Sequence, residues 1–300
     1  MMDMLRIRGL RKRFGDKEVL RGLDLTVPEN SIFGFIGQNG AGKTTTMKSV
    51  LGLLRADGGE IFVNGERVAY GQTATNRHIG YLPDVPEFYS FMTAAEYLDF
   101  CGAISGMGKR ETSKRRDELL ELVGLREETH RVGGFSRGMK QRLGIAQALL
   151  GRPNLLICDE PTSALDPLGR KEILDILLAV REQTTVLFST HILTDVERIC
   201  TDVAFLHGGT VRVQGTLGEI KSRFRQDEYL LETDSEAHLT AITEAFPAVR
   251  RREGNQLILS VKDTPAFEVL GFVSAHRIPL VRWERVEPTL ETMFMEVIES

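Results

Sequence analysis

Gly37-Gln38-Asn39-Gly40-Ala41-Gly42-Lys43-Thr44-Thr45 follows the apolar run Ser31 to Ile36 and continues into a helical pattern through Met47 and Leu51. Three glycines let the backbone curl so that its N–H groups converge on one anion, and the helix that follows adds its positive N-terminal end. Lys43 brings a point charge to the same place. The hydroxyl of Thr44 suits Mg²⁺, a hard cation that takes oxygen ligands. The spacing GxxxxGK[ST] between a strand and a helix is that of a phosphate-binding loop, so this stretch is predicted to hold a nucleotide.

Outward from the loop, Leu5 to Arg13 and Leu23 to Val27 alternate apolar and polar residues around a turn at Phe14-Gly15-Asp16. With Gly58 to Val63 they predict an antiparallel β-layer beside the loop. Ile79 to Pro83 reads as a short strand. Thr93 to Cys101, Lys109 to Gly124 and Met139 to Leu150 have helical periodicity, which makes about 84–150 a helical insert. Leu155 to Cys158 and Thr185 to Ser189 are continuous apolar runs with a helix, Leu168 to Arg181, between them, the pattern of a parallel sheet. Past Leu217 the character changes. Strands at Glu228 to Thr233, Gln256 to Val261 and Leu280 to Arg285 alternate with helices at Glu236 to Phe246, Pro265 to Ala275 and Pro288 to Ile298, predicting a small split βαβ domain. The expected boundaries are 1–216 and 217–300.

Composition narrows the function classes. The 300 residues carry a formal charge of −4, which disfavours nucleic acid as the principal partner. Cys101, Cys158 and Cys200 are few and far apart, pointing to a reducing compartment without zinc or disulfides. Met1 to Arg13 has no apolar signal core, and no run of about 18 apolar residues occurs, so the chain is not expected to span a membrane by itself.

Leu155-Leu156-Ile157-Cys158-Asp159-Glu160 is an apolar strand ending in two acids, whose side chains point to opposite faces and can do different work. Asp159 is predicted to hold Mg²⁺, and Glu160 to orient and polarise an attacking water.

Upstream, Phe135-Ser136-Arg137-Gly138-Met139-Lys140-Gln141-Arg142 resembles the signature motif of ATP-binding cassette ATPases, commonly Leu-Ser-Gly-Gly-Gln. Phe135 stands for Leu, Arg137 for the first Gly and Met139 for Gln, while Ser136 and Gly138 are kept. Ser163-Ala164-Leu165-Asp166 resembles the D-loop of that family, and Ser189-Thr190-His191 its switch histidine. The resemblance covers roughly Leu5 to Gly215. It implies an α/β fold with a P-loop NTPase core of RecA type, an antiparallel β-subdomain and a helical subdomain, followed here by the small α+β domain. It also implies a head-to-tail dimer, a homodimer or a pair with another cassette subunit, enclosing two ATP molecules. Each would be gripped by Gly37, Gln38, Asn39, Gly40, Ala41, Gly42, Lys43, Thr44 and Thr45 of one subunit and by Ser136, Arg137, Gly138 and Asp166 of the other. Phe14 matches the aromatic that stacks on adenine, with Val19 beside it, and His191 the sensor of the γ-phosphate. Lys43, Glu160 and His191 form the implied catalytic set, and Thr44, Asp159 and Asp84 the metal set. Asp84 departs from the family, which usually has glutamine after the strand Tyr81-Leu82-Pro83.

A single cassette with a small C-terminal domain resembles the ATPase subunits of bacterial ABC-2 type exporters. The expectation is a Mg²⁺-dependent ATPase at the inner face of the cell membrane, powering separate membrane-spanning permease subunits that dock on 79–103. The competing reading is a soluble cassette ATPase of DNA repair or the ribosome. Repair members carry a long coiled-coil insert and ribosomal ones two cassettes, and this chain has neither.

Overall fold

The computed structural model describes residues 3–72, 74–224, 227–252 and 254–299. Met1 and Met2, which head the stretch read as lacking a signal core, lie outside them. The chain divides into two compact units, one reaching Leu217 and taking in the residues from Val297, the other Gly218–Glu296.

In the first unit β1 (Asp3–Phe14) and β2 (Lys17–Pro28) form a long antiparallel hairpin. β3 (Ile32–Gly37) and α1 (Lys43–Val50) flank the phosphate loop, and β4 (Gly58–Val63), β5 (Glu66–Arg67) and β6 (Ile79–Leu82) follow. The order β2-β1-β4-β5 makes one antiparallel sheet. The helical insert consists of α2 (Ala94–Ile104), α3 (Lys109–Leu122) and α4 (Arg137–Leu149). Thr93 opens α2 with a capping box, accepting from the N–H of Glu96 while Glu96 accepts from the N–H of Thr93. Then come β7 (Leu155–Asp159), α5 (Pro167–Val180), β8 (Thr185–Thr190), α6 (Leu193–Ile199), β9 (Asp202–His207) and β10 (Thr210–Thr216).

The second sheet runs β10-β9-β3-β8-β7-β6, parallel from β9 to β6 with β10 as an antiparallel edge. Every residue of β3, β7 and β8 is buried, which is why these strands read as unbroken apolar runs. The carboxyl ends of β3, β7 and β8 lie side by side, because Ile36 pairs with Thr190 and Asp159 with Ser189. Open α/β sheets bind ligands at such ends. The insert is held close to this sheet by small residues. A Cβ on Gly80 would lie 2.2 Å from the carbonyl oxygen of Ala148, and one on Gly144 2.5 Å from Cδ1 of Leu82.

Two parts of the reading are corrected here. α4 begins at Arg137 rather than Met139, because the Ser136 hydroxyl accepts the N–H of Met139 at 3.2 Å and so draws Arg137 and Gly138 into the first turn. α6, β9 and β10 were not anticipated. The run Val203 to Leu206 is apolar enough for a buried strand, but it is too short for periodicity to tell strand from helix.

Between the two sheets lies a continuous core that includes Leu5, Leu25, Phe33, Phe35, Met47 and Leu187.

After α7 (Leu217–Arg223), the second unit has β11 (Glu228–Thr233), α8 (Glu236–Ala245), β12 (Arg250–Arg251), β13 (Gln256–Ser260), α9 (Ala266–Ala275), β14 (Leu280–Arg285) and, as far as Glu296, α10 (Leu290–Glu299). Its antiparallel sheet has the order β12-β13-β11-β14, a βαββαβ arrangement in which the two-residue β12 completes the expected three strands. Trp283 stacks on Tyr229 with centroids 5.1 Å apart, and α10 buries Leu290, Met293, Phe294 and Val297. Among the described residues no helix is long and apolar enough to cross a membrane.

Candidate nucleotide site

The phosphate loop is shaped by two glycines with positive φ, Gly40 at 80° and Gly42 at 114°. Gly42 also has no room for a side chain, since a Cβ would come within 2.7 Å of Cδ2 of Leu20. Gly42 is the N-cap of α1 and gives it no side-chain acceptor, which leaves the start of the helix for an anion. Lys43 is buried, and its ammonium donates to the carbonyl oxygens of Gly37 at 2.6 Å and Gln38 at 3.4 Å.

The ends of β7 and β8 bring the acids to this loop. The Thr44 hydroxyl donates to Oδ2 of Asp159 at 2.7 Å, and the Ser189 hydroxyl to Oδ1 at 2.9 Å. Glu160 follows in the left-handed region at φ 50°, a conformation that costs a non-glycine residue about 1–2 kcal/mol. It is held there by its N–H, which donates to the carbonyl of Ser189 at 3.0 Å. Its Oε1 lies 3.2 Å from the Lys43 ammonium and its Oε2 2.8 Å from Nδ1 of His191.

These groups open on a cleft of about 500 Å³, lined by Gln38, Asn39, Gly40, Gly42, Lys43, Thr44 and Thr45 on one side and by Asp84, Asp159, Glu160, Ser163 and His191 on the other, with Lys17 and Val19 from β2. Ala41 lines an adjoining recess with Val19 and Gln38. Phe14 is not among the lining residues. It sits half-exposed at the end of β1, with the Lys12 ammonium 5.3 Å from its ring centroid.

Asp84 follows β6 on the acidic side. Burial raises its carboxyl above the usual carboxylate range, and the charges of Asp159 and Glu160 add to this while Arg137 and His191 oppose it. Burial, with the charges of Asp159 and Asp84, pushes the phenol of nearby Tyr81 up to about 12. Oδ1 of Asp84 is a buried oxygen without a hydrogen-bond donor among the described residues. With the Thr44 hydroxyl and Asp159, it makes an all-oxygen donor set that fits a hard divalent cation such as Mg²⁺.

Ser136, Gly138 and Asp166 do not line this cleft. Ser136 caps α4, and Asp166 caps α5 by accepting the N–H of Gly169 at 2.9 Å. Arg137 turns to the same chain, its guanidinium 3.6 Å from Asp84. Three participants were not singled out from the sequence: Lys17, Ser189 and the fully buried Gln141, whose amide donates to the backbone carbonyl of Asp84 at 2.7 Å. Two had a signal. Ser189 lies two residues before His191 at a strand end, and Gln141 one helical turn after Arg137, so each shares a side with a residue already chosen.

A parallel sheet with a phosphate loop after its central strand β3, a histidine after the neighbouring β8 and two acids at the end of β7 beyond it defines a nucleotide-hydrolysing P-loop ATPase. The family described as "ABC transporter" matches residues 20–163, and that described as "ATP-binding protein DrrA1-3-like, C-terminal domain" matches residues 215–298. The chain is 38% identical over 302 residues to the uncharacterized ABC transporter ATP-binding protein YxlF of Bacillus subtilis (strain 168), covering 99% of this chain and 100% of that one. It is 40% identical over 229 residues to the bacitracin transport ATP-binding protein BcrA of Bacillus licheniformis, covering 75% and 74%. A solved structure titled "Structure of ATP binding subunit of ABC transporter" superposes with a TM-score of 0.66 at 34% identity, covering 74% of this chain and 93% of that one. The chain belongs to the ABC transporter ATP-binding proteins. It binds and hydrolyses ATP as the ATPase subunit of a membrane transporter and works with membrane permease subunits.

Proposed function

We propose that the cleft between the phosphate loop and the ends of β7 and β8 hydrolyses Mg²⁺-ATP, with Glu160 as the residue that orients and polarises the attacking water. The observation that carries this is the placement of Glu160 between the Lys43 ammonium and His191, next to an Asp159 that is already engaged by Thr44 and Ser189. Gly37 to Thr45 hold the phosphates. Lys43 neutralises their charge, and His191 contacts the γ-phosphate. Thr44, Asp159 and Asp84 would hold the cation, which when bound supplies further charge neutralisation on the phosphates. Val19 and Phe14 serve the adenine side, Phe14 from its half-exposed place at the end of β1.

The active form is a head-to-tail dimer, of two copies or with a paired cassette subunit, in which Ser136, Gly138 and Asp166 of one subunit complete the site of the other. Ser136 and Gly138 stand at the N-terminal end of α4, a place where a helix favours an anion. The ATP-binding domain spans 1–216 and the accessory α+β domain 217–300. The protein acts peripherally at the inner face of the cell membrane and drives export. The exposed side chains of Val85, Tyr89 and Phe91 support permease docking within 79–103.

Glu160→Gln tests the reading. Loss of a positioned base lowers the rate by about 10² to 10⁴. The variant should therefore bind ATP, hydrolyse it at that reduced rate and accumulate as an ATP-dependent dimer on gel filtration. Wild-type turnover in the variant would sink the assignment.

A further inference from the structure

Asp84 and Arg137 both depart from the residues common in the family, glutamine and glycine, and the fold brings them together. Asp84 follows β6 and Arg137 opens α4, yet the Arg137 guanidinium lies 3.6 Å from Oδ1 of Asp84. One turn along α4, the amide of Gln141 donates to the backbone carbonyl of Asp84 at 2.7 Å. Gln141 is fully buried and so cannot let go without losing a partner in the interior. The segment after β6 is thus tied to α4 twice, once through its backbone and once through its carboxylate. The carboxylate needs the tie. It shares the cleft with Asp159 and Glu160, whose negative charges oppose a third beside them.

Building on the assignment of Asp84 to the cation side of the cleft, we propose that Arg137 is a positioning residue for Asp84 of its own subunit: it supplies the counter-charge that holds an aspartate where the family usually has a neutral glutamine. The two departures are then one device. A glutamine needs no counter-charge beside Asp159 and Glu160, whereas an aspartate does. Without Arg137 the carboxylate is repelled by its neighbours towards solvent, and the cation loses an anionic ligand. The pair is half-exposed, so its contribution lies at the modest scale of surface ion pairs.

The test is a double-mutant cycle read by Mn²⁺ binding to the full-length chain loaded with a non-hydrolysable ATP analogue, with free Mn²⁺ followed by electron paramagnetic resonance and ATPase rates measured in parallel. Arg137→Ala should weaken Mn²⁺ binding about three- to fivefold, the upper range for a half-exposed pair. Arg137→Lys should recover most of that loss, because it keeps the charge. In an Asp84→Gln background, Arg137→Ala should cause no further loss. An equal loss in that background would overturn the proposal and assign Arg137 to the partner's nucleotide instead. If Asp84→Gln alone alters neither Mn²⁺ binding nor hydrolysis, the cation-side reading of Asp84 falls, and the pairing falls with it.

Discussion

Glu160 and His191 meet at 2.8 Å, Oε2 to Nδ1, across the carboxyl ends of adjacent parallel strands. The contact depends on the left-handed backbone of Glu160, because an extended residue there would continue β7 and point its side chain elsewhere. His191→Ala should lower hydrolysis by about 10² to 10³, the scale for losing one positioned group that stabilises developing charge. ATP affinity should change by no more than a few-fold, since the loop that grips the phosphates is untouched. Phosphate release and equilibrium binding of a fluorescent ATP analogue, measured on one preparation, separate the two effects.

Ser189 holds the other acid. Its hydroxyl is fully buried and donates to Asp159, which is itself buried at the end of β7. Ser189→Ala leaves a buried carboxylate oxygen without its donor, which costs about 1–3 kcal/mol. Urea unfolding should show a lower midpoint with an unchanged slope, and the variant should need more Mg²⁺ for half-maximal turnover.

Much of this site could be read in the chain because its chemistry is local. Gly37 to Thr45 carries its own backbone geometry, and Asp159-Glu160 ends an apolar run that Pro153-Asn154 bounds on its other side, as a short buried strand is bounded. The rest depends on distance in the sequence. Nothing between Asp84 and Gln141 announces their bond across 57 positions, and the pairing of Arg137 with Asp84 depends on how α4 packs against β6. Gly80 and Gly144 permit that packing, yet a glycine in a strand or helix is read locally as a weakness. The αβ order of the first unit was legible from alternation and apolar runs. β9 and β10 were not, because the six- and seven-residue runs Asp202–His207 and Thr210–Thr216 are too short for periodicity to decide.

Gly80→Ala turns that packing into a measurement. The new methyl would lie 2.2 Å from a backbone oxygen of α4, so either β6 or the helix must move. Overpacking of this kind typically costs about 1–3 kcal/mol. The melting temperature should fall accordingly. ATPase activity should fall more than stability alone explains, because Asp84 follows β6.

Asp57 gives a pH dependence with a definite sign. Its carboxylate accepts the N–H of Arg13 at 2.7 Å and the ammonium of Lys12 at 3.1 Å, and these bonds, the backbone one first, hold it below its ordinary value of 3.8. A depressed folded-state value means that the stabilisation is fully present above the ordinary value and disappears as pH falls through the depressed one. Asp57→Asn should therefore melt below the wild type at neutral pH, and the gap should close on acidification through that window. The same substitution frees Lys12, whose ammonium lies over Phe14, and should raise hydrogen exchange at the tip of the β1–β2 hairpin.

Ser136 has two candidate jobs that one substitution can pull apart. As the N-cap of α4 it accepts the N–H of Met139, and Ser136→Ala should cost about 1 kcal/mol of stability. Aspartate is as good a cap as serine and suits the positive end of the helix, so Ser136→Asp should keep the melting temperature. In the proposed dimer, however, it would place a negative charge against the partner's triphosphate. In the Glu160→Gln background, Ser136→Asp should therefore bind ATP as a monomer and fail to form the ATP-dependent dimer on gel filtration. A dimer formed as readily as with serine would restrict Ser136 to capping, and the second half of the composite site would have to be sought elsewhere on the chain.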